Sequence, residues 1–246
     1  MTTRTNRVSA GFFSLTPPPP PDDDGSYLRW HLLDHMPEQY LLAGVVLGSR
    51  WTADGEYADH VITANDPFER VGGVVSYLFG EPVQQTYDDF MALGAHLAEI
   101  GRFPERRPSL STRLLALAGA YAAPRALVSA DVVPFRPNRG IVLLVEQPTE
   151  DLGAWERWLR SEHYPAVLDT AGVAGLWSFL STDAWQVLPT CEGEPQATTV
   201  IYLDADPLQT TQHLAPLLEQ RWSSGAVQPL FAGPLRSMVR WDAWPE

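Results

Sequence analysis

The stretch W-H-L-L-D-H-M-P-E-Q-Y-L-L-A-G-V, from Trp30 to Val45, occurs in this chain a second time in altered form. The second copy reads W-L-R-S-E-H-Y-P-A-V-L-D-T-A-G-V and runs from Trp158 to Val173. The two stretches align without a gap, and Trp, an acidic residue, His, Pro, Ala, Gly and Val recur at matching positions. This shared spacing indicates an internal repeat, which must be recognised before any fold is predicted.

Hydrophobic periodicity predicts the same order of elements around both copies. In the first copy we predict strands at 7–15, 44–51, 72–79 and 126–135, and helices at 26–42 and 87–100. In the second copy we predict strands at 140–146, 173–181, 197–204 and 234–241, and helices at 151–168 and 207–222. Each copy therefore has the order βαββαβ, the ferredoxin-like unit in which four antiparallel strands carry two helices on one face.

The predicted fold class is α+β, with two tandem ferredoxin-like units at 1–136 and 137–246. A sheet with helices on one face leaves its other face bare, and two such sheets can cover each other. We therefore predict a pseudo-dimeric α/β barrel. The first unit is longer because of a segment at 101–125, in which an apolar stretch from Leu110 to Tyr121 predicts a short extra helix. A packing helix is favoured there over a lid.

Composition excludes several functional classes. The 246 residues carry a net charge of −13, so nucleic acid and anionic membranes are poor partners. All 17 basic residues are Arg, which excludes a lysine Schiff base, pyridoxal phosphate held by lysine, and a P-loop. Cys191 is the single cysteine, so no internal disulfide forms. With no apolar run of about 18 residues and no signal-peptide pattern, we expect a cytoplasmic protein, as a monomer or homodimer.

The motifs W-x-x-x-D-H-M-P at Trp30 to Pro37 and W-x-x-x-E-H-Y-P at Trp158 to Pro165 resemble the EthD-like branch of the dimeric α/β-barrel superfamily. The resemblance implies paired ferredoxin-like units, here supplied by one duplicated chain. Proteins of this superfamily include cofactor-free monooxygenases, polyketide cyclases, muconolactone-type isomerases, haem enzymes and proteins without known activity. The resemblance therefore implies a small hydrophobic or aromatic ligand and leaves the reaction open.

Three candidate catalytic residues, Tyr27, His31 and His35, follow one another at intervals of i, i+4 and so share one stripe of the first helix. The matching stripe of the second copy contains Trp155, Leu159 and His163 at the same spacing. Since His31 is replaced by leucine there, its position is predicted to face inward. The neighbouring acids Asp34 and Glu162 point about 100° away from the repeated histidine and are expected in solvent.

Two interpretations of His35 and His163 stay open. Imidazole titrates near neutrality, so each could be a general acid or base at the mouth of a cleft. Each could instead tie its helix end to the following proline turn through a backbone hydrogen bond. Because the mutual repulsion of two imidazoles one turn apart disfavours double protonation, at least one of His31 and His35 should be neutral.

The first copy holds the more polar residues and is predicted to be the working half. The candidate substrate-binding residues are Trp30, Arg50, Trp51, Tyr77 and His163. At the positions of Arg50 and Trp51 the second copy has Ser178 and Phe179. His31 and His35 could bind zinc, but H-x-x-D-H lacks the glutamate position of a zincin helix, so no metal site and no cofactor are predicted.

These residues favour a cofactor-independent isomerase, cyclase or lyase that abstracts a proton from a small hydrophobic carbonyl or phenolic compound. Arg50 would hold an oxyanion or carboxylate. A cofactor-free monooxygenase would need similar residues and an oxidisable substrate anion. A non-catalytic small-molecule binding protein is the third possibility.

Overall fold

The structure is a computed structural model and describes residues 7–20, 22, 25–103, 109–149, 152–182, 194–223 and 225–238. The first half contains strands β1 (Ala10–Thr16), β2 (Val45–Thr52), β3 (Thr63–Ala64), β4 (Gly73–Phe79) and β5 (Ser111–Ala122), and helices α1 (Ser26–Trp30), α2 (Met36–Gln39), α3 (Glu56–Asp59) and α4 (Val83–Glu99). The second half contains β6 (Gly140–Pro148), β7 (Val173–Leu180), β8 (Ala197–Leu203) and β9 (Val227–Ser237), and α5 (Leu152–Trp158), α6 (Tyr164–Asp169) and α7 (Pro207–Ser223).

A π-helical segment interrupts the first helix of each half. It spans His31–His35 between α1 and α2, and Leu159–His163 between α5 and α6. Each segment closes just before a proline, Pro37 or Pro165, whose ring offers no N–H to the helical ladder. We call the two continuous helices the α1–α2 helix and the α5–α6 helix.

The nine strands of the described residues join in one antiparallel sheet that closes on itself. The strand order is β2-β4-β1-β5-β7-β8-β6-β9-β3, and β2 also pairs with β9 through Trp51 with Ser237 and Thr52 with Arg236. Within each half the order of the four main strands is second, third, first, fourth, as in a ferredoxin-like unit. The α+β barrel expected from the sequence is therefore present.

The two halves share a further detail of strand pairing. The ladder of β2 with β4 is irregular between Val45 and Leu47, and the ladder of β7 with β8 is irregular between Val173 and Gly175. These positions correspond in the sequence alignment of the two copies. A bulge at the same place re-aims the following side chains in the same way, so residues of the two halves can be compared by register.

The prediction of a helix from Leu110 to Tyr121 is wrong. These residues form β5, which pairs with β1 on one side and with β7 on the other. The last strand predicted for the first half, at 126–135, is also wrong, because short 3-10 segments occupy Pro124–Ala126 and Ala130–Phe135. Leu and Ala favour helices in isolation, but hydrogen bonds to two neighbouring strands outweigh that preference. Residues 104–108 of the predicted insertion lie outside the described residues.

Hydrophobic side chains fill the barrel and also the two layers between sheet and helices. Phe13 of β1, Trp177 and Phe179 of β7 and Phe231 of β9 meet inside the barrel. The rings of Phe13 and Phe179 lie 4.9 Å apart in an edge-on arrangement, so this core is shared by both halves. Among the helices of the described ranges, none has the length and apolar character needed to span a lipid bilayer.

The shared core predicts that the halves unfold together. We expect Phe179→Ala to lower the free energy of unfolding by about 3–5 kcal/mol, because the truncation leaves a cavity where the two halves meet. Urea denaturation followed by tryptophan fluorescence should show a single transition for the parent protein and for the variant. Two separate transitions, or a loss below about 1 kcal/mol, would contradict a common core.

Candidate functional site

The candidate site lies where the α1–α2 helix and α4 pack on the outer face of the first half's strands. We call this interface the first seam, and the interface of the α5–α6 helix and α7 with the strands of the second half the second seam. The buried apolar residues of the first seam include Phe12, Met36, Phe79, Phe90 and Leu114. Phe12 and Phe79 are 7% and 0% exposed there.

The helical stripe predicted from the sequence is present in the first seam. The ring centroids of Tyr27 and His31 lie 6.0 Å apart, and those of His31 and His35 lie 5.4 Å apart. His31 is 5% exposed, which confirms that its position faces inward. Asp34 and Glu162 are exposed, also as expected.

Trp30 and Phe103 cover His35 on two sides. The Trp30 ring stacks on the imidazole with 4.9 Å between centroids and an interplanar angle of 28°. Phe103, which follows α4, contacts the same imidazole edge-on at 5.1 Å. Trp30 also donates a hydrogen bond from Nε1 to the Arg102 carbonyl oxygen over 3.1 Å. Trp30 thus stabilises His35 and lines neither cleft described below.

Strands β2 and β4 bring Arg50 and Tyr77 to the first seam. The Arg50 guanidinium lies over the Tyr27 ring, 5.7 Å from its centroid. Tyr77 is 3% exposed, and burial raises the pKa of its phenol, with Tyr40 adding to the shift and Arg50 opposing it. The structure therefore brings Tyr27, His31, His35, Arg50 and Tyr77 together.

Of the two other candidate binding residues, Trp51 lines both clefts described below, whereas His163 lies in the other half of the chain. Trp51 follows Arg50 in β2 and points to the barrel interior, where its Nε1 donates to Asn138 Oδ1 over 2.9 Å. His163 belongs to the second seam, where Trp158 stacks on it at 5.2 Å. Successive side chains of a strand point to opposite faces of the sheet. Arg50 therefore points to the first seam, whereas Trp51 points to the barrel interior.

Several buried polar atoms of the first seam have no hydrogen-bond partner among the described residues. They are His31 Nδ1, His35 Nδ1, Gln39 Oε1 and Tyr77 Oη. Buried polar atoms in folded proteins are normally paired, so a group of such atoms in one interface indicates space for water or a polar ligand. This cluster includes Gln39, which sequence reasoning missed although it extends the i, i+4 stripe by one more step.

Burial, more than mutual repulsion, sets the protonation of the seam histidines. Desolvation lowers the pKa of His31 to about 2, with further contributions from Arg50 and then His35. Burial also lowers the pKa of His35, and Glu38 opposes that shift. A neutral imidazole was predicted from the repulsion between His31 and His35; this repulsion contributes to the lowered pKa of His31, but loss of hydration contributes more.

The second seam has the same arrangement of helices and strands as the first but different buried side chains. By helix alignment and strand register, Tyr27, His31, Gln39 and Tyr77 correspond to Trp155, Leu159, Val167 and Ile201. All four counterparts are buried and carry no titratable group. Burial lowers the pKa of the remaining histidine, His163, to about 3, and Arg221 adds to the shift.

A buried ion pair occupies the second seam. Arg221 donates to both carboxylate oxygens of Glu146, over 2.7 and 2.6 Å, and both side chains are almost fully buried. Trp222 donates to Glu146 over 2.8 Å, and the Arg221 guanidinium lies 5.0 Å from the Trp155 ring centroid. The space beside Trp155 and Leu159 is only about 10 Å³, so this seam is nearly closed.

Two clefts reach the first seam, and Arg50 lines both. The larger, of about 330 Å³, has apolar walls from Leu32, Met36 and Phe135 and includes Arg136. Arg136 Nη2 lies 3.6 Å from Asp204 Oδ2, while its Nη1 is buried and has no hydrogen-bond partner among the described residues. The smaller, of about 110 Å³, contains Tyr27. The two guanidinium groups suit an anionic or electron-rich oxygen, and the apolar walls suit a hydrophobic body.

The residues of the first seam can be compared with those that a metal ion or a haem group requires. Within the described ranges, no three His, Cys, Asp or Glu side chains are grouped so that they could hold a metal ion. The clefts described above are not lined by a histidine, and Trp30, Tyr27 and Phe103 cover the two imidazoles of the first seam. These residues therefore do not fit an axial haem ligand facing an open cavity.

Comparison with solved structures identifies the fold. An anthrone oxidase-like protein matches with a TM-score of 0.55 at 10% identity, covering 97% of this chain and 94% of that one. A candidate chlorite dismutase matches with a TM-score of 0.54 at 11% identity, covering 94% and 96%. A candidate monooxygenase from Fusobacterium nucleatum matches with a TM-score of 0.53 at 7% identity, covering 96% and 94%. The chain therefore shares its α+β barrel fold with these proteins.

Sequence comparison adds no family assignment. No protein-family model matches the chain, and no curated protein matches it significantly. At such low identity the structural likeness shows the fold alone, so function has to be argued from the residues of the site.

The buried histidines predict a loss of stability in acid. Because the pKa of His163 falls from 6.5 to about 3 on folding, the unfolded chain binds a proton in that range that the folded chain does not. Stability therefore falls as the pH is lowered through this window. We expect His163→Leu to reduce this dependence by about 1.4 kcal/mol per pH unit, measured by urea denaturation between about pH 6 and about pH 4.

The matched control for this measurement is His96→Gln, since His96 lies exposed on α4. It should leave the pH dependence unchanged. If His163→Leu kept the full dependence of the parent protein, His163 would have to be protonated in the folded state.

Proposed function

We propose that this chain is a cofactor-independent enzyme that abstracts a proton from a small hydrophobic carbonyl or phenolic compound in the first seam. The reaction would be an isomerisation, cyclisation or lyase reaction. One observation supports this most strongly. The first seam keeps unpaired atoms of His31, His35, Gln39 and Tyr77 near Arg50, which lines two clefts, whereas the second seam holds a paired Arg221 and Glu146 and leaves a space of only about 10 Å³ beside Trp155 and Leu159.

The kind of substrate follows from the protonation states of His31 and His35. A neutral imidazole has a free electron pair and can accept a proton, but one whose pKa is held near 2 is a weak base. Proton transfer to His31 or His35 is therefore favourable only when the resulting substrate anion is stabilised. This restricts the substrate to compounds with an acidic proton, such as a phenol or a C–H beside an activated carbonyl.

Arg50 is well placed to stabilise such an anion. When the base takes the proton from carbon, the bonding electrons move to the carbonyl oxygen and form an enolate. The Arg50 guanidinium, which lines both clefts and interacts electrostatically with His31, would pair with this oxygen. Tyr27 and Tyr77 would orient the oxygen, and the proton would return to another atom of the substrate.

Two alternatives share these residues. A cofactor-free monooxygenase would form the same substrate anion and pass its electrons to molecular oxygen, and among the proteins of similar fold are an anthrone oxidase-like protein and candidate monooxygenases. A non-catalytic binding protein would use the same groups to orient a ligand.

Incubation with a panel of aromatic polyketides and lactones, with and without oxygen, distinguishes the three functions. Oxygen-dependent turnover would exclude the isomerase, and binding without turnover would exclude both enzymes.

We further propose that the halves are copies of one EthD-like unit, joined near Pro137, in a cytoplasmic protein. Three correspondences support the duplication: the motif at Trp30 and Trp158, the π-helical segments and the shared bulge.

The two halves predict different outcomes for the same substitution. We expect His31→Ala or His35→Ala to lower kcat/KM by about 100-fold or more, because each removes an imidazole from the reacting centre. His163→Ala should leave kcat/KM of the folded protein near the parent value and lower stability by about 1–3 kcal/mol. The kcat/KM values of the variants are compared by steady-state kinetics, on protein that thermal melts have shown to be folded. Loss of turnover in His163→Ala alone would place the site in the second half.

A further inference from the structure

Gln39 is a buried polar residue next to His35 that the proposed chemistry does not yet use. It lies one helical turn after His35 and is 1% exposed. Its counterpart in the second half is Val167, which is equally buried. Burying an amide costs free energy unless the amide is hydrogen-bonded, so glutamine in place of valine needs a specific reason.

The hydrogen bond of Gln39 has a defined direction. Its Nε2 lies 3.4 Å from Nε2 of His35. In this orientation of the amide, its nitrogen donates and the imidazole Nε2 accepts. A neutral imidazole that accepts at Nε2 carries its proton on Nδ1.

We propose that Gln39 is a positioning residue that holds His35 as the neutral tautomer with the proton on Nδ1. His35 is then a hydrogen-bond donor in the first seam, because its one free electron pair is taken by Gln39. Its Nδ1 is buried and has no partner among the described residues, so this N–H is available to an oxygen atom of a ligand. Tyr77, whose buried hydroxyl also lacks a partner in the described part of the chain, would donate beside it.

This inference rests on the proposed function and divides the roles within it. His31 is left as the base, since an Nδ1-protonated His35 has no lone pair to accept a proton while Gln39 is bonded to it. The ligand would therefore present an anionic or carbonyl oxygen to His35, Tyr77 and Arg50 and its acidic proton to His31. The second seam cannot make this arrangement, because Leu159 and Val167 replace the base and the positioning residue.

The tautomer can be measured without any ligand. In long-range ¹H–¹⁵N spectra of the full-length protein, we expect His35 to show a protonated Nδ1 and an unprotonated Nε2. Gln39→Glu should invert this pattern, because a carboxylate accepts from Nε2–H. Gln39→Val should remove the preference, while the His163 signals stay unchanged. A parent protein with the proton on Nε2, or a tautomer that ignores both substitutions, would overturn the inference.

Two substitutions of His35 test its role separately. The amide nitrogen of Asn can replace Nδ1, whereas that of Gln replaces Nε2. We expect His35→Asn to keep kcat/KM within about 10-fold of the parent on a substrate found in the panel, and His35→Gln to lose about 100-fold or more. Equal losses in both variants would show that His35 is a base and overturn the division of roles. Absence of turnover in the parent protein would refute the proposed function, while the spectra would still decide the tautomer.

Discussion

The bare face of a ferredoxin-like sheet is the constraint on which the rest of this structure depends. Helices cover one face of each four-stranded sheet, and the other face consists of large apolar side chains that must be removed from water. The chain meets this need by joining the two sheets edge to edge, β5 to β7 and β9 to β2, around a common core. Closure of the barrel places both helical layers on its outside. Each half therefore has one seam between its helices and its strands.

The two seams show two ways of handling polar groups under a helix. In the second seam the carboxylate of Glu146 compensates the guanidinium of Arg221, and Trp222 satisfies a further lone pair. A buried pair of this kind is tolerated because each charge has a partner, whereas loss of one partner would cost several kcal/mol. One nitrogen each of Trp155 and Arg221 still lacks a partner there, but the first seam keeps imidazole, amide and phenol groups that are incompletely paired within the described residues. Such groups destabilise a fold, so their retention favours a functional role.

The repeat in the sequence predicted much of this architecture. Residues such as Trp, His, Pro and Gly recur at matching positions because the two halves adopt the same backbone structure. The helical stripe of Tyr27, His31 and His35 followed from spacing alone, and the inward position of His31 followed from its replacement by Leu159. The same comparison would have found Gln39, since Val167 stands at its equivalent position. The signal is this exchange of Gln for Val, two residues after the proline of the Trp-His-Pro motif.

Other features depend on tertiary context and could not be read from residue patterns. The segment Leu114 to Ala122 is rich in Leu and Ala, and its apolar run fits a helix or a fully buried strand equally well. It forms a strand because it pairs with β1 of the first half and with β7 of the second half. The π-helical segments also escape prediction, since a proline signals an interruption of the helix without specifying its geometry. The low pKa of His31 depends on burial, which becomes known only once the seam is built.

The stability of His31→Leu tests most directly the claim that the first seam holds polar groups for function. This substitution installs the residue that the second half carries at the same place and removes a buried imidazole nitrogen without a partner in the described structure. The account predicts that the free energy of unfolding at neutral pH, measured by urea denaturation, rises by about 1–3 kcal/mol. A fall of similar size would show that His31 stabilises the fold and would contradict the account.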